Sequence, residues 1–121
     1  MSRLKNLFKR DRNKLVVFIT AGFPKKESTE ELVLQAIEGG ADMIEIGIPF
    51  SDPQADGPII QKASEIALSN GITLSIIFDQ VRSIRKKTDI PIALMGYYNP
   101  ILAYGIDTVS YTHLRAHETR T

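Results

Sequence analysis

The residues best equipped for chemistry fall in EIGIPFSDPQADGP, which runs from Glu45 to Pro58. Glu45 stands among isoleucines in a strand-like run, and Asp52 and Asp56 follow in a loop stiffened by Pro49, Pro53 and Pro58. A carboxyl set into an apolar strand is costly unless it is paired, protonated or close to solvent. At the C-terminal end of a strand it can also give up and recover a proton within one catalytic cycle. The competing reading is a structural acid held by a lysine or by backbone amides. Asp52-Pro53 is a common turn pair, and Asp56-Gly57-Pro58 reads equally well as a turn leading into a helix cap. The three acids could be pictured as oxygen ligands for magnesium, but their spacing matches no such loop, and no metal is expected.

The elements that must position these groups follow from periodicity. Residues 2–10 read as a short amphipathic helix, with Leu4, Leu7 and Phe8 at helical spacing. LVVFIT (15–20), DMIEIG (42–47) and PIALMGYY (91–98) read as strands. Between the first two, Ser28 and Glu31 form an expected capping box opening a helix that ends at Gly39-Gly40. Pro58 suits the first turn of the next helix, and a further helix spans about 73–87. Apolar strands separated by helices indicate an α/β fold with a parallel sheet. Alternation puts Met43, Glu45 and Gly47 on one face and Ile44, Ile46 and Ile48 on the helix-covered face. Phe18 and Thr20 share a face of the first strand, and Leu94, Gly96 and Tyr98 share a face of the third. If the isoleucines meet helices, Phe18, Glu45 and Tyr98 converge on the other side, around a pocket for a planar apolar substrate.

Composition excludes several classes. With 43% apolar and 24% charged residues the chain is globular in character. The run LVVFI is far short of the ~20 residues of a membrane span, and the basic N-terminus lacks the apolar core of a signal peptide. Cysteine is absent, which removes disulfide and thiolate chemistry and is compatible with a cytoplasmic setting. The net charge of +1 gives no bulk attraction to nucleic acid or membrane. Arg82, Arg85, Lys86 and Lys87 cluster at a helix C-terminus, which the macrodipole favours by itself.

FITAGFP, EIGIPFSDPQADGPIIQ and MGYYNPI closely resemble segments of the tryptophan synthase alpha family, in order and at natural spacing over about residues 1–107. The resemblance implies a (β/α)₈ TIM barrel that cleaves indole-3-glycerol phosphate to indole and glyceraldehyde 3-phosphate by a retro-aldol reaction. It implies Glu45 and Asp56 as the catalytic pair, with Phe18, Tyr98 and Gly96 as substrate-binding positions. The loop holding Pro49, Ser51, Asp52 and Pro53 would face a beta subunit in an alpha₂beta₂ assembly. No cofactor is implied in this subunit, since pyridoxal phosphate belongs to the beta subunit.

The chain also departs from the family. Only about three of eight strands are present, in a fold of usually ~250 residues, and the phosphate site after strands seven and eight is missing. The chain alone is therefore expected to be unstable and inactive. A non-catalytic fragment keeping only the partner-facing loop is one alternative, and another phosphate-handling barrel enzyme is a second. No lysine lies near a strand end for a Schiff base, since Lys14 precedes its strand. TVSYTHLRAHETRT (108–121) does not resemble the family's continuation and reads as a foreign or disordered tail. Its His113 and His117 are four apart, but Leu114 replaces the glutamate of a zinc helix, so both are expected to be solvated.

Overall fold

Three β-branched runs pair as parallel strands in the order β1 (Val16–Thr20), β2 (Met43–Gly47) and β3 (Ile92–Met95). The computed structural model describes residues 3–8, 13–51 and 56–96. Helix α1 (Arg3–Phe8) precedes β1, and α2 (Ser28–Glu38) joins β1 to β2. Two helices, α3 (Pro58–Ser69) and α4 (Leu74–Arg85), then join β2 to β3. This is the expected order of elements.

The register decides what each face does. Val17 and Ile19 lie opposite Ile44 and Ile46, which lie in turn opposite Ile92 and Leu94. Residues paired in a ladder project to the same side. These six meet Val33 of α2, Ala67 of α3 and Phe78 and Val81 of α4 in one core. Each buried isoleucine or leucine contributes about 1.5–3 kcal/mol. A slip of one residue would drive Glu45 into that core, so the register is strongly specified. The other face carries Val16, Phe18 and Thr20 from β1, Glu45 and Gly47 from β2, and Ala93 and Met95 from β3. Leu7 of α1 covers its N-terminal end by packing on Met43 and Ala93. Elsewhere this face is partly open: Thr20 and Gly47 are buried, but Val16 is 44%, Phe18 40% and Met95 37% exposed.

Two expectations need correction. Leu94 shares the helix-covered face with Ile46, so it belongs to the core and not to the face of Glu45. A Cβ on Gly96 would lie 3.0 Å from the Ile48 Cβ, in keeping with that side. Tyr98 itself lies outside the described residues. The capping box of Ser28 and Glu31 does not form. Ser28 is already helical, its hydroxyl accepts from the Lys25 amide at 3.2 Å, and Glu31 accepts from Gln35 instead. A true cap occurs at Thr73, whose hydroxyl accepts from the Ile76 amide at 3.2 Å.

Polar contacts tie the helices to the sheet and to each other. Asp42, only 5% exposed, accepts the Leu15 amide at 2.8 Å and so fixes the start of β1 beside β2. Glu30 of α2 pairs with Lys87 at 2.6 Å and accepts from the Ser83 hydroxyl at 3.0 Å. Arg82 pairs with Asp79, and Arg85 donates to the carbonyls of Thr88 and Ile90. Burial, with the Arg3 charge adding to it, pulls the Arg85 guanidinium down to about 10. Three members of the basic cluster thus serve the fold, and nucleic-acid binding gains no support.

Candidate active site

The C-terminal ends of the strands form a cavity of about 230 Å³. Its wall includes Phe18 and Thr20 of β1, Gly47 of β2, Asp56 from the loop before α3, and Ile60 and Ser64 of α3. Met95 and Gly96 close the β3 side. Each element delivers its residues for a local reason. Alternation turns Phe18 and Thr20 to the same side. Ile60 and Ser64, four apart on α3, share one helix face. Gly47 leaves room for the Phe18 ring, since a Cβ there would run into the ring's far end. The ring can therefore lie across β2 only where β2 has no side chain.

Glu45 lies opposite Phe18 on one side and Ala93 on the other, on the open face of the sheet. It is half-buried and does not itself line the cavity. It sits two residues before Gly47 on the same face, about 7 Å along the strand at 3.3 Å per residue. Among the described residues no cation or hydrogen-bond partner holds its carboxylate, so the structural reading of a clamped acid finds no partner there.

Asp56 is half-buried at the cavity, and its backbone carbonyl accepts from the Gln61 side chain at 2.8 Å. Among the residues expected to face a partner, Pro49 is buried and Ser51 exposed, while Asp52 and Pro53 lie outside the described residues. The structure thus brings Phe18, Asp56 and Gly96 to one cavity, with Glu45 beside it. Thr20 and Ser64, both nearly buried hydroxyls on the wall, were not singled out from sequence. Their signal was present: Thr20 shares the parity of Phe18, and Ser64 lies eight residues after Asp56 on a helix already anticipated.

A larger cavity of about 650 Å³ lies at the opposite ends of the strands, near Arg3, Asn6, Asp42, Thr88 and Asp89. Loops at the C-terminal ends of parallel strands carry chemistry, whereas those at the N-terminal ends serve stability. The smaller cavity is therefore the candidate. Among the described residues no three His, Cys, Asp or Glu side chains are grouped to hold a metal ion. No helix among them is long and apolar enough to cross a membrane.

Residues 4–118 match the family model for the tryptophan synthase alpha chain. The chain belongs to the tryptophan synthase alpha chain family. It is 56% identical over 102 residues to the alpha chain of Geotalea uraniireducens, covering 84% of this chain and 38% of that one. Tryptophan synthase subunit alpha from Legionella pneumophila superposes with a TM-score of 0.91 at 41% identity, over 98% of this chain and 48% of that chain. A chain of the tryptophan synthase complex from Pyrococcus furiosus gives 0.78 at 41% identity, over 86% and 43%.

This chain thus spans less than half the length of these relatives. Its three parallel strands correspond to the N-terminal half of the family's TIM barrel. The open face holding Phe18 and Glu45 is then the inner face of that barrel. Alpha chains of this family carry no cofactor of their own, and pyridoxal phosphate belongs to the beta subunit. The matched span runs past Asp107 into the segment expected to be foreign, a segment outside the described residues.

Proposed function

We propose that this chain carries the acid–base half of an indole-3-glycerol phosphate lyase acting in the cytoplasm in tryptophan biosynthesis. The observation that supports it best is the convergence of an aromatic ring, Phe18, and a carboxylate, Asp56, on one cavity, with Glu45 beside it on the same face of the sheet. Cleaving the bond between the indole ring and its glycerol carbon requires a proton at ring C3, which leaves the ring cationic. Glu45 is the acid–base that moves protons at C3 and at the glycerol hydroxyl. Asp56 accepts the ring N–H and stabilises the positive charge, an effect strengthened where water is excluded. Phe18 supplies the flat apolar wall for the ring.

The loop from Pro49 to Pro53 faces a beta subunit, so that indole leaves toward its consumer. Phosphate contacts would come from the later strands of the barrel. The 121-residue chain by itself is expected to release no indole. The test is a full-length alpha chain carrying this segment, assayed for indole release from indole-3-glycerol phosphate. Glu45→Gln should lower kcat by about 10²–10⁴-fold, the usual worth of general acid–base catalysis. Undiminished turnover would remove Glu45 from the mechanism.

A further inference from the structure

We propose that Gln61 is the positioning residue of Asp56: its carboxamide grips the Asp56 backbone and thereby aims the carboxylate at the cavity. This rests on the role given to Asp56 above. Helix α3 begins without a side-chain cap. Gly57 is its N-cap and makes no side-chain cap, and Pro58 in the first turn has no N–H to offer. A Cβ on Gly57 would meet nothing within 4 Å, and Ile59 is 83% exposed, so packing does not anchor this corner either.

Gln61 does. Its side-chain Nε2 donates to the Asp56 carbonyl at 2.8 Å, and its backbone N–H donates to the Gly57 carbonyl at 3.0 Å. One residue thus holds two consecutive carbonyls from the first turn of a rigid helix. With the plane of the peptide after Asp56 fixed, the direction of its carboxylate depends only on that residue's own torsions. The chemistry of the side chain suits the task. A glutamate would set an acceptor against the carbonyl oxygen. A lysine would place a cation beside Asp56 and neutralise the charge on which its role depends. An asparagine is one methylene too short.

The first measurement uses residues 1–107 grafted onto the remainder of the Geotalea uraniireducens alpha chain, which completes the barrel, and needs no activity. The ¹⁵N heteronuclear NOE at Asp56 and Gly57 is compared among wild type, the near-isosteric Gln61→Glu and Gln61→Ala. The NOE should fall at these two amides in both variants, with Ile66 to Ser69 unchanged. Equal values in all three proteins would overturn the proposal. The second follows cleavage of indole-3-glycerol phosphate by the same graft. Gln61→Ala should lower kcat about tenfold with KM unchanged, as misplacing a catalytic group does. It should add nothing in an Asp56→Asn background, because both changes remove one function. Additive losses, or a change in KM alone, would show Gln61 to be merely structural. A graft that releases no indole even as wild type would count against the lyase reading, and the NOE comparison would still decide the role of Gln61.

Discussion

A methyl group on Gly47 would collide with the Phe18 ring, and this contact sets the shape of the candidate site. Gly47→Ala should swing the half-exposed ring off β2 and cost about 1 kcal/mol, the low end for overpacking. The check is the urea midpoint of the full-length graft, followed by circular dichroism. Adding Phe18→Ala should recover most of that loss, since the collision then has no second party. Equal losses in the single and double variants would show the ring to be elsewhere. At this scale the sequence was informative about direction and weak on partners. The parity of Phe18 and Glu45 could be read because each lies in a run whose other residues are plainly core. Gly47, Gln61 and Ser64 acquire meaning only from what stands opposite them in space, 29 residues away in the pairing of Gly47 with the Phe18 ring.

Between elements, the link from α2 to α4 carries a pH dependence. The Lys87 ammonium bonded to Glu30, with the Ser83 hydroxyl assisting, holds that carboxyl below its ordinary value of 4.5. A carboxyl with a depressed folded pKa stabilises the fold above its unfolded value and loses that contribution as pH falls through the folded one. The pair should therefore contribute at neutral pH and fade below about 4.5. Both side chains touch solvent, so the amount is about 0.5–1 kcal/mol. Denaturant midpoints of wild type and Glu30→Gln at pH 7 and pH 3 should converge at the lower pH. A constant gap would mean the salt bridge is not the cause. The helices themselves were legible because their apolar stripes are unbroken. The start of α2 was misread because one serine can cap a helix or close the preceding turn, and the side chain's choice depends on where the first helical residue falls.

For the molecule as a whole, the decisive feature is a sheet with one covered face and one open one. Val16, Phe18 and Met95 on the open face are each more than a third exposed. Contiguous apolar surface of this kind beside strand edges favours association. Purified 121-residue chain should elute from a sizing column larger than a monomer at micromolar concentration and bind a hydrophobic dye. A sharp monomer peak with no dye binding would contradict this. The family likeness explains the open face, which in a full barrel is turned inward. Local pattern alone determined the α/β class, the order of elements and the side of the sheet on which Glu45 lies, because burial on one face imposes a period that residue types reveal. Only the tertiary structure decided which face of β3 joins the core, what holds Asp56 and why residue 47 is a glycine. Those depend on register and on contacts between distant segments, for which a linear pattern carries no signal.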